Sequence, residues 1–133
     1  MNAVAHIAFK FRKERIEYLK LITSEFNKYP FNVDVFIHSD KKFDIDYLNE
    51  EYNNGTIVLK KHNLRKYFLY KGWKYRLTFT ARKLIAKQKE NYDIFIYLED
   101  DILIPLNAIK YWLSNKDLCI ENNLNLGFLR IEV

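Results

Sequence analysis

Residues 92–105 read YDIFIYLEDDILIP, an apolar run from Ile94 to Leu98 that ends in three consecutive carboxylates, Glu99, Asp100 and Asp101. The run does not alternate with polar residues, so it reads as a central parallel strand covered on both faces. In open α/β sheets, ligands bind beyond the carboxyl ends of such strands. Two unit charges ~5 Å apart repel by roughly 3 kcal/mol at an effective dielectric of 20. Three carboxylates set side by side therefore call for a cation among them. With the backbone extended, a period of two places Glu99 and Asp101 on one side and Asp100 on the other. This suits a hard, oxygen-seeking ion such as Mn2+ or Mg2+, which takes one or two carboxylates together with substrate phosphates. The alternative is an acidic turn solvated by water.

Outward from this stretch, the pattern alternates strand with helix. Residues 3–9, AVAHIAF, suit a first strand. From Glu14 the period changes, with Ile16, Leu19, Ile22, Phe26 and Tyr29 near three-to-four spacing in a helix that Pro30 ends. Phe31–Ile37 reads as a second strand leading into His38, Ser39 and Asp40. A polar stretch around Asp44–Tyr52 has room for a short helix, and Asn53, Asn54 and Gly55 form a turn before a third strand over Thr56–Leu59. Residues 61–73 have no period and read as a loop. A helix follows from Gly72 to Glu90, with Leu77, Ala81, Leu84 and Ile85 as its buried stripe. Pro105 opens a last helix to about Ile120, and Gly127–Val133 reads as a final strand. The order predicts an α/β fold, a three-layer sandwich with a mostly parallel central sheet.

The 133 residues make one domain's worth of chain, and a hydrophobic share of 49% is enough for a core. Three Gly and two Pro argue against a loop-dominated or disordered chain. The net charge of +5 makes an anionic partner eligible, but the lysines are scattered rather than clustered, as on a solvated surface. A single cysteine, Cys119, excludes an internal disulfide and a cysteine-based zinc site. No apolar run approaches a secretory signal or a transmembrane segment, which predicts a cytoplasmic protein. His6, His38 and His62 do not have metal-ligand spacing. The first two read as satisfied strand residues, and His62 is the one worth testing.

Four places together resemble the GT-A type nucleotide-diphospho-sugar glycosyltransferases. They are the arginine-containing turn and helix after the first strand (RIEYLKLITSEF), the polar end of the second strand (HSD), the basic and aromatic helix start (GWKYRLT), and the strand running into a DxD-like motif (YLEDD). The EDD form is the strongest single match. The resemblance implies a metal-dependent glycosyltransferase domain whose nucleotide-diphospho-sugar donor lies across the sheet's carboxyl edge, with Mn2+ or Mg2+ bridging the diphosphate to the acidic motif. Carried over by position, Asp101 would contact the metal, Glu99 would lie near its water shell or the donor sugar, and Asp100 near the ribose. Arg15 would contact the nucleotide, and Asp40 the base or ribose. Arg76, three residues after Trp73 on one helix face, would approach the diphosphate. Each also has a plain structural reading as a surface charge, a turn residue or an ion-pair partner.

The chain departs from that family in length. Its members run well past two hundred residues, and their second half supplies the acceptor site and, in inverting members, the base. The sequence thus looks like a donor-binding half, incomplete at its C-terminus, and Glu132 has no position that marks it as a base. No catalytic residue is assigned. The competing readings are a noncatalytic nucleotide-binding module of the same fold and a basic nucleic-acid-binding domain. The second of these lacks the alternating aromatic and basic strand of a single-strand platform, so no nucleic acid is expected.

Overall fold

The computed structural model describes residues 1–127, the side chains of residues 73–75 excepted. The strand expected over Gly127–Val133, with Glu132, lies outside the described residues except for Gly127. The chain forms two compact units, Met1–Leu103 and Ile104–Val133.

The first unit holds a sheet of four parallel strands, β1 (Asn2–Phe9), β2 (Asn32–Ser39), β3 (Ile57–Lys61) and β4 (Ile94–Glu99), in the order β3-β2-β1-β4. Between them come α1 (Ile16–Phe26), α2 (Asp46–Glu51) and α3 (Arg82–Gln88). Chain direction across the sheet reverses once. The β1-α1-β2 and β2-α2-β3 connections step one way, and the return from β3 through α3 to β4 steps the other. With right-handed crossovers this puts α1 and α2 on one face and α3 on the other. Two contacts agree: α1 meets α2, and His6 of β1 reaches Gln88 of α3.

β1 is the strand covered on both faces. Ala3, Val4, Ala5, His6, Ile7 and Phe9 are all 0–1% exposed. β4, by contrast, is the edge of the sheet among the described residues and alternates strictly, with Ile94, Ile96 and Leu98 buried and Phe95, Tyr97 and Glu99 exposed. The central, doubly covered strand expected from the apolar run Ile94–Leu98 is thus corrected: β4 lies at the sheet edge, and the aromatic Phe95 and Tyr97 occupy its open face, which an apolar run alone does not exclude. Tyr97 turns its hydroxyl onto the Thr78 carbonyl at 2.9 Å.

α1 forms where the three-to-four spacing placed it. It buries Leu19, Ile22, Thr23 and Phe26 along one stripe, each large apolar residue contributing about 1.5–3 kcal/mol. The Thr23 hydroxyl, which would be an unsatisfied donor there, bonds back to the Leu19 carbonyl at 3.0 Å. The helix expected from Gly72 to Glu90 is instead a 3₁₀ segment, Trp73–Phe79, followed by α3. The Thr80 hydroxyl donates to the Leu77 carbonyl at 2.6 Å. Such local side-chain bonding, in a run of β-branched and aromatic residues, favours the tighter winding over a continuous α-helix. In the second unit α4 spans Leu106–Glu121, with Pro105 as its extended N-cap rather than its first helical residue. The Trp112 indole donates to the Leu126 carbonyl at 3.3 Å.

Gly55 packs against β2 with φ of +147°, and a Cβ there would overlap the Val33 carbonyl oxygen. The Tyr52 hydroxyl donates to that same oxygen. Gly55→Ala is therefore expected to lower stability by about 2 kcal/mol or more, read as a lower urea midpoint at an unchanged slope.

Candidate active site at the carboxyl edge

The single reversal of chain direction lies between β1 and β4. A crevice opens at such a point beyond the strand ends. The register sets Ala8 opposite Glu99, and the Asp100 amide donates to the Ala8 carbonyl at 3.2 Å. The chain then turns, with the Ile102 amide bonding to the Glu99 carbonyl at 3.0 Å. This turn ends the strand's period of two. Asp100 and Asp101, expected on opposite sides, converge on one guanidinium, while Glu99 stays on the open face with Tyr97.

That guanidinium belongs to Arg15, the residue just before α1. Its Nε lies 3.0 Å from Asp100 Oδ2, and its Nη2 lies 3.6 Å from Asp101 Oδ2. The cation demanded by the clustered carboxylates is thus supplied by the protein itself, across the crevice. Asp100 is 5% exposed. Burial pushes its carboxyl above the ordinary carboxylate range, Arg15 pulls it back, and Asp101 and Glu99 push it up again. Oδ2 is close enough to Arg15 Nε for an ion pair but is not aligned for a hydrogen bond, so this buried oxygen keeps an unused acceptor. Alongside runs a cleft of about 280 Å³, walled by Tyr18, Leu21 and Ile22 of α1 and by residues 100–103.

The remaining predicted residues separate. Asp40 accepts a hydrogen bond from the Phe11 amide at 2.9 Å, which ties the loop after β1 to the end of β2. Arg76 lies 5.2 Å from the Tyr70 ring centroid and 5.5 Å from that of Phe79. It is held by aromatic faces rather than by the carboxylates. The side chain of Trp73, expected beside it, lies outside the described residues. Two carboxylates around one cation would suffice for a hydrated divalent ion that also takes phosphate oxygens. Asp101, 42% exposed, is open to such an ion, whereas Asp100 Oδ2 is buried against Arg15. No cluster of three or more potential ligands occurs among the described residues.

A second polar array was missed by sequence reading. His6 Nε2 lies 2.9 Å from Gln88 Oε1, His6 Nδ1 lies 2.9 Å from His38 Nε2, and His38 Nδ1 lies 2.8 Å from His62 Nε2. The three imidazoles form one chain running from β1 through β2 to the residue just past β3. His38 stands opposite Ala8, two positions beyond His6, so the diagonal contact follows from register. Spacing along the sequence could not show it, because the three lie 32 and 24 residues apart.

Comparison with known proteins returns no match to a family model, a curated protein or a solved structure. Fold and site together define a class. The protein is an α/β domain with a parallel sheet flanked by helices, an architecture consistent with nucleotide-binding scaffolds in general. Among the described residues no helix is long and apolar enough to cross a membrane.

The buried charges give two pH dependences of opposite sign. Desolvation, and for His38 the neighbouring imidazoles and Lys60, lower all three histidines, His38 to about 3. A group with a lowered folded value that charges on protonation contributes stability that is full above its unfolded value, about 6.5, and is lost as pH falls toward the folded one. His38 alone should therefore cost about 2 kcal/mol between pH 7 and pH 5. Urea unfolding across that range should show this decline, well above the range where ordinary carboxylates titrate. Asp100 works the other way, since a raised carboxyl regains stability as pH falls through its folded value. Arg15→Ala, which strands the buried carboxylate, should destabilise by about 3 kcal/mol at pH 7. That deficit should shrink as the solution is acidified.

Proposed function

We propose that the domain binds a nucleotide-diphospho-sugar at the β1–β4 crevice, as the donor-binding domain of a metal-dependent glycosyltransferase. The observation that carries this reading is the Arg15–Asp100–Asp101 cluster at the reversal point. A guanidinium suited to diphosphate oxygens and a carboxylate pair suited to a hard cation occupy the position where open α/β sheets take their ligands.

On this reading Asp101 holds Mn2+ or Mg2+, with Glu99 toward its water shell or the sugar. The metal, when bound, acts as a Lewis acid that stabilises charge developing on the departing nucleoside diphosphate. The chain's own residues bind and orient. Arg15 meets the diphosphate, and Asp100, buried and paired to Arg15, fixes where that guanidinium points. A ribose contact for Asp100, as the resemblance suggests, would have to form through its unused acceptor. Asp40 clamps the post-β1 loop over the base or ribose. Arg76 reaches the diphosphate only by leaving its aromatic contacts.

One observation favours a second reading, a noncatalytic nucleotide-binding module. Arg15 lies between Asp100 and the exposed Asp101, so a phosphate can be met by that guanidinium as it leaves Asp101, without any metal. Calorimetric titration with uridine or guanosine diphosphate sugars separates the two. The enzyme reading expects binding only with Mn2+ or Mg2+, and loss of the metal dependence in Asp101→Ala. Equal affinity with and without chelator would sink it and leave the second reading.

A further inference from the structure

The histidine chain has a direction and an open end. Gln88 is 7% exposed, and its Oε1, a pure acceptor, faces His6 Nε2 at 2.9 Å, so that nitrogen carries the proton. His6 Nδ1 is then an acceptor and takes its hydrogen bond from His38 Nε2, 2.9 Å away. His38 Nδ1 in turn accepts from His62 Nε2, 2.8 Å away. With every imidazole neutral, one amide oxygen thus sets three tautomers. The ring nitrogen outside the chain, His62 Nδ1, is left with a lone pair.

The ring of His62 lies on the wall of a cavity of about 250 Å³, beside His38, Lys60, Thr80, Lys83 and Lys87. Lys60 comes from β3, and Lys83 and Lys87 lie one turn apart on α3, so three lysine side chains from two elements line one space. Among the described residues none of the three lysines is ion-paired with a carboxylate. The other groups facing His62 are also basic, namely Lys66 from the following turn and His38. A space lined by three lysine stems, whose charged ends have no carboxylate partner among the described residues, and backed by a buried hydrogen-bond chain suits an anion.

We propose that this cavity is a phosphoryl-type oxyanion site, separate from the β1–β4 crevice, and that the Gln88–His6–His38–His62 chain dictates the hydrogen bond the anion makes there. Three lysines supply attraction. The lone pair on His62 Nδ1 repels a fully ionised oxygen, so the anion must either bring a proton to that nitrogen or be accompanied by protonation of His62 itself. His6 and His38 cannot share that proton cheaply, because each is buried and already committed at both nitrogens. The chain therefore confines proton uptake to His62, the one imidazole with a ring nitrogen outside it.

Sulfate isolates the protein's share, since it does not titrate near neutrality. The intact chain, labelled with ¹⁵N at histidine, is titrated with sodium sulfate at low ionic strength and followed by long-range ¹H–¹⁵N spectra. Without anion all three rings should show neutral, Nε2-protonated patterns. With sulfate, His62 alone should move to the imidazolium pattern, and affinity should rise by up to tenfold per pH unit as pH falls from 8 to 6. Inorganic phosphate and glycerol phosphate then distinguish the sources. Tighter binding of the monoester assigns the site to a small phosphorylated molecule, and equal binding assigns it to free phosphate. Lys83→Gln combined with Lys87→Gln, on an exposed helix face where folding is spared, should weaken each anion about tenfold or more. A His62 spectrum indifferent to sulfate, or equal affinity in the double variant, overturns the proposal.

Discussion

Between Ala3 and Phe9 the only polar side chain of β1 is His6, and it is fully buried. A strand covered on both faces can hold an imidazole only if both ring nitrogens are hydrogen-bonded, because an unpaired buried polar group costs about 1–3 kcal/mol. Gln88 meets one nitrogen and His38 the other. The demand made by His6 thus pins α3 to one face of β1 and fixes β2 beside it in one register. A slip of a single residue would turn His38 to the opposite face. On the other side of β1, its pairing with β4 sets Glu99 opposite Ala8 and brings the Asp100 amide onto the Ala8 carbonyl.

The two polar arrays divide the carboxyl edge by charge. Around β1 and β4 stand Asp100 and Asp101 with a single guanidinium. Around β2 and β3 stand three lysines and an imidazole with no carboxylate partner among the described residues. The net charge of +5 is thus not spread evenly over the surface. Within the first unit, the lysines beside the second array have no carboxylate partner among the described residues, whereas in the crevice the carboxylates engage the charge of Arg15. An anion approaching this edge meets one site with uncompensated positive charge and one in which the positive charge is already engaged.

Much of the first unit was legible in the sequence because its cues are local. The period change at Glu14, the stop at Pro30 and the Asn53–Gly55 turn each act within a few residues, and strands and helices follow them. Strand order was not local. The apolar run Ile94–Leu98 reads as a central strand, and only the pairing of β1 with both β2 and β4 shows that AVAHIAF lies inside the sheet and β4 at its edge among the described residues. At the site, the requirement for a cation among Glu99, Asp100 and Asp101 was readable from Coulomb repulsion alone. That Arg15 answers it was not, because the two lie 85 residues apart, from Arg15 to Asp100, and meet only through the direction reversal. The histidine chain was hidden for the same reason. Lone histidines in strands carry no signal until register makes them neighbours.

The strength of each link in the acidic cluster decides what a ligand would do there. Arg15 holds Asp100 at 3.0 Å in a buried contact but Asp101 at 3.6 Å beside solvent. An exposed ion pair is worth about 1 kcal/mol or less, whereas parting Arg15 from Asp100 would abandon a desolvated charge and cost several times that. A phosphate competing for the guanidinium therefore displaces Asp101 first and leaves Asp100 paired. On the proposed donor-binding reading this order matters, because Asp101 is freed as the anion arrives and only then is available to a cation that also needs the phosphate oxygens. The unequal pairing would make metal and phosphate binding mutually supportive, through one guanidinium that cannot satisfy both Asp101 and the anion.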